Sequence, residues 1–207
     1  MSQTGLRARN RSRTRDDIVE AALGLFEERG YDATTCEDIA AAADVSARTF
    51  FRYFDTKVDV VLAGRTEEEG PQAIIAEVLD RPAGEHPVEV LRQALRHPVG
   101  VVESQRDLVV RQFRVMMATP NLETLRREQF HRFEDPLAAA IATRLGRQPG
   151  DLDARLLAAA TAAALRISIE RWVASGARRG TLRPLLDEAF DRLEHGFGSS
   201  RRRPQRR

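Results

Sequence analysis

The stretch RDDIVEAALGLFEERGYDATTCEDIAAAADVSARTFFRYFDTKVDVV, Arg15 to Val61, decides the fold. Ile18, Ala21, Ala22, Leu25 and Phe26 recur at spacings of three and four, the period of a helix with one buried face, while Glu20, Glu27, Glu28 and Arg29 point away. Gly30 stops that run, as a glycine just past a helix does. Thr35 followed by Asp38 predicts a capping box that opens a second helix through Ile39, Ala40 and Ala43, with Thr34 as the competing cap. Ala43-Asp44-Val45 then makes a tight turn, and Ser46 caps a third helix over Ala47 to Phe54. Two short helices across such a turn are a helix-turn-helix.

The third helix has a surface that a merely structural helix rarely carries. Phe50 and Phe54, four apart, face the core, which leaves Ala47, Arg48, Thr49, Phe51, Arg52 and Tyr53 for the other faces. Arginine can pair with guanine through two hydrogen bonds, Thr and Phe can touch a thymine methyl, and Tyr or Arg can reach phosphate. The competing interpretation is a small three-helix core with a solvated basic edge.

The run AA..LF.E.GYD.TT...IA..A.VS..T.F.YF..K within this stretch resembles the DNA-binding domain of the tetracycline-repressor (TetR) family of bacterial regulators, over about a quarter of the chain. The resemblance implies a homodimer whose third helices enter successive major grooves of a palindromic operator in double-stranded DNA. It implies phosphate contacts from Thr34 or Thr35, Tyr53 and Lys57, and base contacts from Arg48, Thr49 and Phe51; Arg15, Ser46, Ala47 and Arg52 complete the expected DNA-facing set. One position departs from the family, which usually has Gly where this chain has Asp44. A left-handed backbone is expected there, and Asp tolerates it at modest cost.

Charge supports the same expectation. Residues 1–15 hold five arginines (Arg7, Arg9, Arg11, Arg13, Arg15) and no acid, and the tail after Ser200 holds five more; of 33 basic residues in all, this leaves 23 in the body against 31 acidic ones. The body is therefore at −8 between two tails of +5. An acidic body repels DNA, so the N-terminal arm is placed to attract it and to reach a minor groove, whereas the C-terminal tail reads equally well as a solubilising extension. Of the basic residues 32 are arginine, an excess that follows from GC-rich coding, and Lys57 is the exception.

The expected organisation is all-α: a disordered basic arm over 1–12, a three-helix DNA-binding domain over 13–59, a roughly six-helix ligand-binding and dimerisation domain over 60–197, and a disordered basic tail over 198–207. Breaks at Gly70-Pro71, Arg81-Pro82-Ala83-Gly84, His97-Pro98, Thr119-Pro120 and Gln148-Pro149-Gly150 separate the later helices. These span Thr56 to about Asp80 with Pro71 as a candidate interruption, Pro87–Ser104, Arg106–Ala118, Asn121–Gly146 with a kink at Pro136, Asp151–Ala174 and Arg183–Phe197, some nine helices in total.

Leu185, Leu186, Ala189, Phe190 and Leu193 form a stripe on the last helix, and the alanines from Ala158 to Ala164 let a neighbour come close. In the resembling family such helices pair into a four-helix bundle between protomers; the alternative is that both serve the monomer's own core. Val110, Phe113, Met116, Met117 and Trp172 are the candidate walls of an effector cavity, with Arg166, and also Arg111 and Arg114, able either to meet an anionic ligand or to pair with acids. The C-terminal half is similar to the mycofactocin-type subgroup, for which acyl-CoA-like ligands are suspected.

Catalysis lacks its parts. His86, His97, His131 and His195 are scattered, and there is no glycine-rich phosphate loop, no HExxH spacing and only one cysteine, Cys36. No cofactor is expected. No apolar run spans a bilayer, so a cytoplasmic protein with no membrane partner is expected. The reading is a ligand-responsive regulator, a repressor by family habit. Its alternatives are a regulator of an efflux or antibiotic-related gene that answers a drug-like ligand, and a non-specific architectural DNA-binding protein.

Overall fold

Helical periods punctuated by Gly and Pro build an all-helical chain. The computed structural model describes residues 3–62, 71–82 and 84–196. Among them are eleven helices and no strand: α1 (Gln3–Arg29), α2 (Cys36–Ala42), α3 (Ala47–Tyr53), α4 (Lys57–Leu62), α5 (Pro71–Asp80), α6 (Pro87–Ala94), α7 (Arg96–Ser104), α8 (Arg106–Ala118), α9 (Pro120–Arg144), α10 (Leu152–Ala174) and α11 (Leu182–His195). No described helix is long and apolar enough to cross a membrane. The arginine tail expected over 198–207 lies outside the described residues.

The count exceeds nine because two expected helices are each described in two parts, the one from Thr56 to about Asp80 as α4 and α5 and the next as α6 and α7. The helix expected from Pro87 to Ser104 is divided at Leu95 into α6 and α7. Pro98 has no N–H to offer the carbonyl one turn back and its ring crowds that turn, so the break falls just ahead of it. Pro136, where a kink is expected, lies inside α9, which runs unbroken from Pro120 to Arg144. At the other end, the arm expected to be disordered through residue 12 is helical from Gln3. Its sequence contains no proline and several arginines, which favour helix, so nothing stops α1 from extending outward.

The chain divides into two packed units, residues 1–64 with 107–126, and residues 65–106 with 127–207. In the first, Ile18, Ala22, Leu23 and Phe26 of α1 pack with Ile39 and Ala40 of α2, Phe50 of α3, Phe54, and Val60 and Val61 of α4. Val115 and Met116 of α8 and Leu122 of α9 are buried in the same core. This first unit, the helix-turn-helix head, is therefore discontinuous in sequence, and the expected boundary at residue 59 omits part of its core. α8 and the start of α9 thus add apolar surface to the core built by α1 to α4. In the second unit α11 packs against α10, α7 and α6.

Candidate nucleic-acid interface

Each turn of the head is held by its own side chains. Thr35 caps α2: its hydroxyl accepts from the Asp38 N–H at 3.1 Å, and Asp38 Oδ2 accepts from the Thr35 N–H at 3.0 Å. Thr34 loses the competition because it is buried, 1% exposed, with its hydroxyl donating to Gly30 O. Of the two threonines only Thr35 is available to a phosphate. Asp44 has φ +55°, the left-handed backbone expected for this turn. A second capping box, with Thr56 and Asp59 exchanging hydrogen bonds of 2.8 and 3.3 Å, opens α4.

Ser46 caps α3 by accepting from the Thr49 N–H at 3.1 Å, and its hydroxyl lies 2.9 Å from Thr49 Oγ1. This ties the Thr49 hydroxyl to the helix start and leaves its methyl as the group suited to thymine. Phe50 is buried, while Phe51 is 47% exposed. Phe51 meets only the edge of the Phe50 ring, and beside exposed Ala47, Arg48 and Arg52 it forms an apolar and cationic surface open to solvent. Tyr53 is half-buried beneath the Arg52 guanidinium, 5.1 Å from its ring. Arg15 lies 5.0 Å over the Phe54 ring, which fixes the base of the N-terminal arm against the end of α3.

Lys57 has a role that sequence reading missed. Its Nζ donates to Tyr31 O at 2.8 Å and to Thr34 O at 2.9 Å, and it sits 4.2 Å over the Tyr31 ring. The lysine thus pins the loop between α1 and α2 onto the start of α4. An ammonium has three donors, so one remains for a phosphate. Burial, helped by the Asp32 carboxylate, pushes the Tyr31 hydroxyl up to about 12, so it stays neutral under the lysine.

The other candidate residues separate. Phe113 and Met116 pack into the core of the head, and Met117 is exposed. Arg111 is an ion-pairing residue: it grips Glu27 with two hydrogen bonds of 2.8 and 2.9 Å and also holds Glu20, both on α1. Arg166 pairs with Glu170 one turn on. Trp172 is fully buried in the second unit, and its Nε1 donates to Arg178 O at 2.8 Å. Leu186 and Phe190, expected at a dimer face, fill their own unit's core instead; Leu185 and Ala189 are half-buried and Leu193 is exposed. On α10 the alanine stretch expected to take a neighbour is flanked by apolar residues the sequence reading did not name: Leu152 is 69% exposed, Leu156 59% and Ile167 45%, with half-buried Ala159, Ala160 and Ala163 between them.

A capped helix-turn-helix with an exposed Arg and Phe surface and a basic lead-in helix defines a DNA-binding regulator. Residues 18–63 match the model of the bacterial regulatory proteins of the tetR family, and residues 85–198 match the MftR C-terminal domain. The HTH-type transcriptional regulator TcmR of Streptomyces glaucescens is 34% identical over 97% of this chain and 91% of its own. The chain belongs to the tetR family, as a helix-turn-helix transcriptional regulator and not an enzyme. The crystal structure of Thermus thermophilus FadR in complex with lauroyl-CoA is 29% identical, with a TM-score of 0.52 and coverage of 93% of this chain and 99% of that one. A tetR-family regulator from Mesorhizobium loti, 23% identical over 89% of this chain and 95% of its own at a TM-score of 0.56, shares the fold.

Proposed function

We propose that this protein is a homodimeric repressor that binds a palindromic operator and is released by a small apolar, acyl-CoA-like effector. The observation that carries the operator reading is the exposed surface of α3, where Arg48, Phe51 and Arg52 stand clear of the core on a helix fixed at its start by Ser46. Thr35, Tyr53 and the remaining donor of Lys57 supply the phosphate contacts that set the helix in the groove. The exposed stripe Leu152, Leu156 and Ile167, extended by Leu193, supplies the dimer face, and a dimer reads two half-sites at a fixed spacing. The effector reading rests on similarity to FadR, whose structure holds lauroyl-CoA. Val110 and Met117 on α8 are then the effector contacts.

The effector acts only through differential affinity for the operator-bound and released forms; a 100-fold preference for the released form shifts the equilibrium by about 2.7 kcal/mol. Selection of bound DNA from a random pool tests the reading, followed by titration of the recovered site with lauroyl-CoA. A palindrome that random DNA fails to displace and lauroyl-CoA releases is expected. Equal competition by random DNA would make the protein a non-specific binder, and indifference to lauroyl-CoA would remove the effector.

A further inference from the structure

In the second unit a polar cleft of about 330 Å³ opens between α6, α7 and α11, lined by Glu89, Arg92, Gln93, Arg96, Arg183 and Asp187. Its lining carries three arginines and two carboxylates. Arg92 already serves both lining carboxylates, lying 3.3 Å from Glu89 and 3.4 Å from Asp187, and reaches Asp191 and Glu194 as well. Arg96 and Arg183 have no carboxylate within ion-pair distance among the described residues. Arg96 donates to Gln93 Oε1 at 3.0 Å, and Arg183 donates through Nη2 to the Arg96 carbonyl at 3.2 Å. Arg96 and Arg183 are thus held together at one end of a cleft without an ion-pair partner of their own.

Two further observations point the same way. Arg183 Nε is buried without a hydrogen-bond partner, as is Arg92 Nε in the same cleft, and a buried donor without an acceptor is costly. Arg183 also sits in the first turn of α11, which carries no acid of its own, so its charge adds to the positive end of the helix dipole. Glu103 of α7 reaches that end, and its Oε1 accepts from the Leu182 N–H at 2.7 Å.

We propose that this cleft is a binding site for a compact small-molecule dianion, a phosphate ester or a polycarboxylate, gripped by Arg96 and Arg183. Either chemistry offers paired oxygens to the planar guanidinium fork and an acceptor to the stranded Nε. At 100° per residue, Arg183 and Asp187 lie on the flank of α11 opposite Leu185, Ala189 and Leu193, with the buried Leu186 and Phe190 between. A bound anion therefore ties α11 to α6 and α7 without occupying the apolar flank. The site is independent of the acyl-CoA reading, since it is polar and requires no hydrocarbon wall.

Calorimetric titration of the full chain with pyrophosphate and, separately, citrate, at constant ionic strength, tests the proposal. Saturable binding of at least one anion is expected, with a matching rise in melting temperature. Whichever anion binds more tightly identifies the chemical class. R96Q and R183Q should each weaken binding about tenfold or more, while R155Q on α10 leaves it unchanged; unliganded melting curves verify that the variants are folded. No saturable binding of either anion by the wild type overturns the proposal. So does an R96Q/R183Q double variant that titrates like the wild type, because binding then resides in the arginine-rich termini.

Discussion

At the scale of single residues, the head separates side chains that hold the fold from side chains left free to read. Phe50 and Phe51 are adjacent and chemically identical, yet one is in the core and the other half-exposed, because a helix turns 100° between them. Arg48→Ala and Phe51→Ala should each cost about 1–3 kcal/mol of discrimination between operator and random DNA, with melting temperature unchanged. Binding assays with both DNAs check this, and unaltered discrimination would end the base-reading role. Lys57→Met should behave differently, lowering both melting temperature and affinity for every DNA sequence, since it removes the clamp on the Tyr31 and Thr34 carbonyls along with a cation. At Asp44 the left-handed backbone is strained for any residue with a Cβ. Asp44→Gly should stabilise the protein by up to about 1 kcal/mol in denaturant unfolding, less the extra freedom that glycine gives the unfolded chain.

Among elements, the instructive contacts are the charged ones that join helices far apart in sequence. Glu103 on α7 caps α11, whose own Thr181 makes no side-chain cap. Glu103→Ala should cost about 0.5–2 kcal/mol, the usual worth of a lost cap, whereas Glu103→Gln retains an acceptor and should cost less. Within the head, Arg111 of α8 holds Glu27 of α1 and keeps that carboxyl below its ordinary value of 4.5, chiefly through its hydrogen bonds. A depressed carboxylate stabilises the fold above its unfolded value and loses that contribution as pH falls through the native one. Glu27→Gln should therefore melt below the wild type at neutral pH, with the gap closing in acid; a gap independent of pH would refute the ion pair's contribution. None of these partners, 79 to 84 positions apart, is legible from local periodicity.

For the whole molecule, the decisive question is which apolar surface is left over after each unit has packed. Leu186 and Phe190 are buried in their own unit, so arginine there should unfold it, and the dimer test belongs on α10. Leu156→Arg combined with Ile167→Arg should give folded monomers in sedimentation, with weakened operator binding because paired half-sites are no longer held at a fixed spacing. A persistent dimer would place the interface elsewhere. Deleting residues 2–12 should weaken binding to all DNA and reduce its salt dependence, since the arm carries arginine without acid; an unchanged salt slope would make the arm passive.

The sequence by itself determined the head's three helices, a capping box at Thr35 with Thr34 as its competitor, and the outward face of α3, while the left-handed turn at Asp44 came from the family resemblance. The first three follow from interactions within a few residues, where period and side-chain chemistry suffice. It also determined that α11 has an apolar stripe, but not which part of that stripe the monomer keeps. Only the tertiary structure decided that Val115 and Met116 complete the head's core, that Arg111 is an ion-pair partner, and that Lys57 grips two carbonyls. The same packing left Leu152, Leu156 and Ile167 outside. Periodicity tells a helix which of its faces is apolar, and the partner of that face is chosen by chain segments that meet only when the whole molecule packs.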